Sequence, residues 1–263
     1  MGRFYNCLFS LYDTINDYDK GCEYMAGHSK WKNIQKRKNA QDSKRGKIFQ
    51  KLSREIYVAA KGGADPDMNA ALRLVLDKAK SANMPNDNIE RAIKRATDSA
   101  DGANYDEVVY EGYGPGGIGV LVYGLTDNHN RTGTNVRTAF NHNGGNLGEK
   151  GSVAFQFERK GYIAIERENI EDDEDTLMMT ILEAGAEDME LSDEVVEVYT
   201  AAKDFTSVRD ALSETYTLAQ AELTMKPTVT VPLDSALVEE FEAMIDVIED
   251  DDDVTDVYHN AEY

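Results

Sequence analysis

Before residue 100, the apolar positions of this chain recur with a helical period, which predicts three helices in succession. The first is predicted over residues 44–61, where one arc holds the apolar residues Ile48, Phe49, Leu52, Ile56, Ala59 and Ala60. Gly62 and Gly63 follow it, as glycine commonly does at a helix end. Two shorter helices are predicted over 71–82 and 86–97, with a break at Pro85. Helices joined by such short connections are expected to form a small bundle.

After a linker at 98–104, strand patterns alternate with helical ones. Strands are predicted at 118–125, 152–158, 161–166, 218–224, 228–232 and 254–258, with two more between 186 and 200. Helices are predicted at 131–141, 175–184, 205–215 and 234–249. This order of elements contains the split βαββαβ pattern twice.

The predicted fold class is α+β, with an N-terminal three-helix domain followed by two ferredoxin-like (βαββαβ) domains, one inserted in the other. The helical domain is expected at 25–100. One α+β domain is expected at 105–160 plus 227–263, and the inserted one at 161–226. No internal sequence repeat supports this nesting, which depends on the order of elements alone.

Composition narrows the class of protein further. With 263 residues, of which 41% are hydrophobic, the chain can bury more than one core. No apolar run approaches the ~18 residues of a membrane-spanning helix, so we expect a cytoplasmic protein without a membrane partner. Both cysteines, Cys7 and Cys22, lie near the N terminus. Neither a disulfide framework nor a cysteine metal site is therefore expected in the rest of the chain.

Charge is distributed very unevenly along the chain, whose formal net charge is −21. Residues 25–100 carry 17 Lys and Arg against 8 Asp and Glu, a net charge of +9. Residues 101–263 carry 9 against 37, a net charge of −28. A basic module joined to an acidic body is typical of proteins that bind nucleic acid through one domain.

The first 24 residues have no clear helical or strand period, and we interpret residues 1–24 as a non-native or disordered extension. Met25 opens a different kind of sequence. Lys20-Gly21 can be encoded by a purine-rich run placed where a ribosome-binding site for Met25 would lie. The alternative is a genuine N-terminal tail.

The basic part of the helical domain is the strongest functional signal. Phosphate binding requires several cations on one surface, because affinity comes from the release of condensed counterions. Between residues 28 and 54 only Asp42 interrupts the basic sequence. The candidate nucleic-acid-binding residues are Lys30, Trp31, Lys32, Lys36, Arg37, Lys38, Lys44, Arg45, Lys47, Lys51 and Arg54. The alternatives are a solvated helix face or an anionic membrane surface, and the narrow apolar arc disfavours the membrane.

Other motifs do not indicate an enzyme. The glycine-rich segment 112–119 precedes a strand and lacks lysine, so it is interpreted as a tight turn and not a phosphate loop. His129 and His142 are expected at opposite ends of one helix, which is unsuited to shared metal ligation. Asp127 or Asn130 is expected to cap that helix. No pair of nucleophile and base can be named, so no catalytic residue, metal, cofactor or small-molecule substrate is predicted.

Two acidic runs, 171–175 and 249–253, have a separate interpretation. They are expected to provide solubility and to restrict nucleic acid to the N-terminal face. Weak Mg²⁺ binding is the alternative.

From Met25 onward the chain resembles the YebC/PmpR family throughout. The matching segments, in order, are Met25-Ala26-Gly27-His28-Ser29-Lys30-Trp31, Lys44-Arg45-Gly46-Lys47-Ile48-Phe49, Gly62-Gly63-Ala64-Asp65-Pro66, Ser81-Ala82-Asn83-Met84-Pro85, Tyr110-Glu111-Gly112-Tyr113-Gly114-Pro115-Gly116-Gly117 and 148–153. Many members carry His-Arg-Lys where this chain has Lys36-Arg37-Lys38, which keeps the positive charge. Residues 1–24 have no family counterpart.

The resemblance implies a helical N-terminal domain followed by two α+β domains in a cytoplasmic bacterial protein. Relatives are named probable transcriptional regulators, and some bind promoter DNA. Others, including mitochondrial relatives, are similar to translation factors that act on ribosomes stalled at proline runs. The sequence therefore predicts a non-enzymatic nucleic-acid-binding regulator of gene expression. Its partner is DNA or ribosomal RNA, the latter in the context of the ribosome, and phosphate contacts alone do not separate the two.

Overall fold

Three helices form the N-terminal part of the structure, a computed structural model that describes residues 30–98 and 104–263. Helix α1 spans Lys30–Ala60, α2 spans Ala70–Ser81 and α3 spans Asn86–Asp98. Side chains are described from Arg45 onward. The three predicted helices are confirmed, but α1 begins 14 residues earlier than predicted. Its first half is dominated by basic and amide residues, so it contains no apolar period by which sequence could detect it.

The three helices pack around a small apolar core. Its buried side chains are Leu52, Ile56, Ala60, Leu72, Ala79, Met84, Ile89 and Ala92. Asn69 fixes the turn between the first two helices. Its amide group donates to the Ala59 and Gly63 carbonyls at 2.8 and 2.7 Å, and its side-chain oxygen accepts the Leu72 N–H as the cap of α2. The predicted apolar arc of α1 therefore does face the bundle.

A first four-stranded antiparallel sheet follows. Its strands are β1 (Asp106–Tyr113), β2 (Gly119–Thr126), β3 (Asn146–Leu147) and β9 (Val254–His259), in the spatial order β3-β1-β2-β9. Helices α4 (His129–His142) and α7 (Val238–Glu249) pack on one face of it. Phe140 and Phe241 are fully buried in the core between the sheet and these helices. The short strands β8 (Val231–Pro232) and β10 (Ala261–Glu262) pair in parallel beside it.

In the sequence, the strands of the second sheet come after β3 and before β9 of the first sheet. Its strands are β4 (Phe157–Glu166), β5 (Asp188–Leu191), β6 (Val195–Ala201) and β7 (Leu218–Pro227), in the order β5-β6-β4-β7. Helix α5 (Glu174–Glu183) follows β4, and α6 (Phe205–Thr215) follows β6. The chain therefore runs through a βαββαβ unit, and its core contains Ile163, Leu177, Val198 and Phe205.

The predicted α+β fold class, with one four-stranded unit inserted in another, is confirmed. The second sheet has the predicted βαββαβ order. The first sheet has the same spatial arrangement, but its chain order is ββαβαβ, because the strand that corresponds to β6 is β1 and comes first. Strand β1 is not among the predicted strands, because its alternation is interrupted at Glu111, a buried carboxylate. The strands predicted at 152–158 and 161–166 are in fact one strand, β4, preceded by a 3-10 turn at Ala154–Gln156. None of the helices within the described residues is long and apolar enough to cross a membrane.

Helix α2 joins the helical domain to both sheets through ion pairs. The Lys78 ammonium lies 3.1 Å from Glu55 of α1 and 3.2 Å from Asp256 of β9. Arg209 of α6 lies 2.9 Å from Asp77. Burial opposes the charge on Lys78, but Asp256, Glu55 and Glu222 outweigh it and raise the pKa of this lysine above its usual value. Lys78 is therefore a cation shared by three parts of the fold.

Replacing this shared cation should loosen the assembly. The variant Lys78→Met removes the ammonium that Glu55 and Asp256 share, and we expect a loss of about 1–3 kcal/mol of unfolding free energy. The urea midpoint measures it. The matched control on the same helix is Lys80→Met, whose side chain is 69% exposed and lies 3.9 Å from Asp77. Its effect should stay within about 0.5 kcal/mol, and equal losses in the two variants would contradict the role given to Lys78.

Candidate nucleic-acid interface

The predicted binding residues all lie on α1. The side chains of Lys30, Trp31, Lys32, Lys36, Arg37, Lys38 and Lys44 are outside the described residues, and their role stays a prediction. Arg45, Lys47, Lys51 and Arg54 are described, in the C-terminal half of the helix. Arg45 is exposed. The other three form what we call the basic stripe, at the spacing that places them on one face.

The basic stripe already has acidic partners within the protein. Residues 249–253, here called the acidic turn, comprise the last residue of α7 and the turn that leads to β9, and they face the basic stripe. Lys47 is 2.7 Å from the Asp250 carboxylate, and Lys51 donates to the Glu249 carbonyl at 2.6 Å. Arg54 donates to the Asp252 carbonyl at 2.7 Å and to the Asp253 carboxylate at 2.9 Å. The acidic turn therefore occupies a surface that sequence analysis expected to be exposed to phosphate.

Asp253 is the most heavily bonded member of this contact. Its side chain is only 3% exposed. One carboxylate oxygen accepts from Arg54, while the other accepts from Arg131 at 2.5 Å and from Thr132 at 2.7 Å. Thr126 donates to the same oxygen at 3.2 Å. A single buried carboxylate thus connects α1, the end of β2 and the start of α4.

The electrostatic environment differs among the members of this contact. A hydrogen bond to Asp250 raises the pKa of Lys47, whereas burial lowers the pKa of Lys51. Burial alone would raise the pKa of Asp253, but hydrogen bonds from Arg131, Thr132 and Thr126 together with the Arg131 charge hold it below its usual value. At neutral pH the Asp253 carboxylate is therefore an anion with compensated charge.

Two sequence interpretations are corrected here. The run 249–253 was expected to be a solvated acidic segment that repels nucleic acid, but it binds α1 within the same molecule. Capping of α4 was assigned to Asp127 or Asn130, but the Asn128 side chain accepts from the Arg131 N–H and is the cap. Asp127 instead pairs with the Arg131 guanidinium at 2.9 Å. Alternation and composition do not distinguish these neighbouring polar residues.

A different cationic surface lies between α1 and α3, and sequence analysis missed it. This α1/α3 groove has a volume of about 400 Å³ and is lined by Gly46, Phe49, Gln50, Ser53, Tyr57, Asn88, Arg91, Ala92 and Arg95. Two arginines and three polar side chains line it, with no carboxylate among its residues. The Tyr57 ring lies 5.7 Å beneath the Arg95 guanidinium. The Tyr57 hydroxyl is buried and has no hydrogen-bond partner in the described part of the chain.

One sequence signal was available for this groove. Arg91 and Arg95 are four residues apart on α3, so they lie on one helical face, but the basic stretch was defined by its density of lysine and ended at residue 54. Gln50 and Ser53 of α1 sit between its buried arc and its basic stripe. They lie next to α3 only because the three helices pack together, and the periodicity of α1 alone does not predict that packing.

The glycine-rich segment and the two histidines are placed as follows. The glycine-rich segment contains a 3-10 turn at Pro115–Gly117, with Gly116 and Gly117 at φ 72° and 79°, which confirms the tight turn. His129 and His142 are the first and last residues of α4. Over the described ranges, no group of three or more His, Cys, Asp or Glu side chains could hold a metal ion.

Comparison with family models places this architecture in a known class. The model of the TACO1/YebC protein N-terminal domain matches residues 29–99, which cover the helical bundle. The model of the TACO1/YebC second and third domain matches residues 105–261, which cover both sheets. The chain belongs to the TACO1/YebC family.

Individual relatives agree with this assignment. The chain is 63% identical over 240 residues to a protein of Enterococcus faecalis named "Probable transcriptional regulatory protein", covering 90% of this chain and 99% of the relative. It is 60% identical over 237 residues to "Probable transcriptional regulatory protein YrbC" of Bacillus subtilis, with coverage of 90% and 99%. The crystal structure of a conserved hypothetical protein from Aquifex aeolicus is similar to it with a TM-score of 0.76. That protein is 42% identical, with 84% of this chain and 91% of the other covered.

The Asp253 contact generates a prediction with a defined pH dependence. Asp253→Asn removes the charge that compensates Arg54 and Arg131, and we expect a loss of about 2–4 kcal/mol of unfolding free energy at pH 7. Because the folded pKa is depressed, the contribution is fully present above the unfolded pKa of about 3.9 and disappears as pH falls through the folded value. Urea titrations at several pH values should therefore bring the wild type and the variant together in acid.

Asp250→Asn is the matched control for this experiment. It removes a carboxylate from the same turn, but the pair with Lys47 is exposed, with side chains 46–47% accessible. We expect less than about 0.5 kcal/mol and no change in the acid limb. A loss as large as that of Asp253→Asn would assign the stability to the acidic turn as a whole and not to the Asp253 carboxylate.

Proposed function

We propose that this chain is a non-enzymatic nucleic-acid-binding regulator of gene expression that acts through its helical domain. The observation that carries the proposal is the α1/α3 groove, which combines arginine, amide and aromatic side chains without a carboxylate in its lining. Arginine and amide donors suit phosphate oxygens, and an aromatic ring edge suits a base or sugar. Gly46 is one of the lining residues, and the part of α1 that precedes it in the chain is the most basic part of the sequence. The names of the relatives support a role in transcription.

In this proposal the two faces of α1 have different roles. The basic stripe holds the acidic turn, while the α1/α3 groove and the N-terminal half of α1 contact nucleic acid. Charge reversal of Lys47, Lys51 and Arg54 would place carboxylates against Asp250 and Asp253 and disturb the fold. It is therefore a poor test of binding, and the arginines of the groove are better targets.

Neutralising the groove should weaken binding by removing phosphate contacts. For Arg91→Gln/Arg95→Gln we expect a duplex affinity at least about tenfold lower, with a salt slope that flattens by about 0.9 per lost contact. Fluorescence anisotropy over a salt series measures both. Thermal unfolding followed by circular dichroism reports whether the loss of the Arg95–Tyr57 contact alters stability.

The control variant Lys80→Gln/Lys203→Gln has the same net charge. Both lysines are exposed, at 69% and 83%, and lie outside the groove. Its affinity should remain within about twofold of the wild type, because diffuse charge contributes less than a positioned contact. Equal weakening in both variants would mean that overall charge, and not the groove, determines binding.

A second candidate function is that of a ribosome-associated translation factor, and the acidic body favours it. Residues 101–263 carry a net charge of −28, which repels a long duplex running past the helical domain. A ribosomal surface presents RNA beside cationic proteins and does not impose that repulsion. Sequence reading of DNA would require base contacts of about 1–3 kcal/mol each, whereas the predicted surface of α1 is mostly lysine.

The two functions are separated by comparing three partners at one near-physiological salt concentration. These are a promoter duplex, its scrambled counterpart and purified ribosomes. A transcriptional regulator should prefer the promoter over the scramble by about a hundredfold or more. Equal binding to both duplexes together with tighter binding to ribosomes would instead establish the translational role.

A further inference from the structure

A second groove lies in the first sheet, well outside the helical domain. It runs between α4, strand β1 and the segment that follows β3, and its volume is about 580 Å³. Among its lining residues are Val109, Tyr110, Glu111, Thr134, Arg137, Leu147 and Lys150. This volume falls within the range of about 300–1,000 Å³ typical of sites that hold a small ligand or a short piece of a polymer.

The cations of this groove are exceptional for the part of the chain in which they occur. Residues 104–263 contain nine Lys and Arg side chains. Six of these form ion pairs in the structure: Arg131, Lys160, Arg167, Lys203, Arg209 and Lys226. The three that form no ion pair within the described residues are Arg137, Lys150 and Arg159, and the first two line this groove. In a strongly acidic body, two cations without an ion pair at one concave site attract an anion, even beside the hydrogen-bonded carboxylate of Glu111.

The loop that carries Lys150 is held in place by a buried carboxylate. Glu111 is 5% exposed and accepts the backbone N–H groups of Gly151, Val153 and Ala154 at 2.7, 2.8 and 2.8 Å. The Glu111 carbonyl accepts the Gly148 N–H at 2.7 Å. These bonds compensate the Glu111 charge and fix the backbone around Lys150, which lowers the entropy cost of placing that lysine on a ligand.

Apolar surface lies beside the two cations. Val109 is 42% exposed although it belongs to a central strand, and Leu147 is half-buried at the other side. Tyr110 also lines the groove, and its hydroxyl donates to the His129 carbonyl at 3.4 Å. Cations together with apolar and aromatic lining residues match a nucleotide, whose phosphate is anionic and whose base has two apolar faces.

The groove is also linked to the helical domain. Helix α4 forms one wall, and Arg131 near its start bonds the Asp253 carboxylate that also accepts from Arg54 of α1. One residue therefore fixes the position of this wall relative to the basic helix.

We propose that this groove binds a single-stranded segment of nucleic acid, with Arg137 and Lys150 on its phosphates and the Val109, Tyr110 and Leu147 surface under its sugar or base. A duplex is too wide for a cavity of this size, whereas one or two unpaired nucleotides fit it. The inference rests on the proposed function and extends it, because it assigns the sheet region a direct contact with the same polymer.

The test uses the full chain and a fluorescein-labelled oligouridylate that has no duplex structure. Arg137→Gln/Lys150→Gln removes both groove cations, and we expect its affinity for the single strand to fall at least about tenfold while duplex affinity changes by less than about twofold. The matched control is Arg159→Gln/Lys203→Gln, which has the same net charge and alters exposed cations outside the groove. It should leave both affinities within about twofold of the wild type.

A third variant, Thr134→Glu, adds an anion to the rim on exposed helix α4 and should weaken single-strand binding without a change in the unfolding midpoint. Single-strand affinity unchanged in Arg137→Gln/Lys150→Gln, or reduced equally in its control, would overturn the groove assignment. The proposed function would survive that result as long as the α1/α3 variant still loses duplex binding. If the wild-type chain binds neither probe, both proposals are wrong.

Discussion

Among the contacts that hold the helical domain against the first sheet, the most heavily bonded group is one buried carboxylate, Asp253. A carboxylate removed from water is strongly destabilising unless donors replace its hydration. Here the donors come from α1, from the end of β2 and from α4, through Arg54, Thr126, Thr132 and Arg131. Because α1 is far from β2 and α4 in the chain, and Asp253 is far from all three, the carboxylate can be satisfied only when these elements are in place together. The charge thus specifies a tertiary arrangement and not merely a local turn.

Two groups of cations in the described part of the chain differ in whether they bind acidic groups of the protein. Lys47, Lys51 and Arg54 share a helical face and serve to dock the acidic turn. The arginines of the α1/α3 groove and the pair Arg137 and Lys150 form no ion pair within the described residues. Net charge per domain does not reveal this division, since paired and unpaired lysines count equally. The surfaces available to a polyanion are therefore defined by where the acidic residues are absent.

Much of the architecture could be predicted from sequence because it depends on local periodicity. Helix α6 was predicted with the bounds that it has in the structure, since its apolar positions and the ends of the pattern coincide. Strand β1 was missed because Glu111 is buried for a reason that lies elsewhere in the chain, at the N–H groups of residues 151–154. The same limit applies to the candidate site. The composition shows that a basic helix is present, but its acidic partner, such as Asp250 for Lys47, lies some 200 positions away in the chain and is set by packing.

The way the second sheet joins the first has a consequence for how such a molecule can be built and changed. Its entry and exit are adjacent, since Phe157 at the start of β4 is paired with Pro227 at the end of β7. Just beyond them the Thr228 N–H donates to the Gln156 carbonyl at 2.8 Å. The first sheet is therefore connected to the whole insertion at two adjacent points, as it would be to the loop of a hairpin. The entropy cost of closing such a loop depends only weakly on the number of residues that it contains. A module attached by such a two-stranded stem can be enlarged, exchanged or twisted as a unit while the host keeps its register.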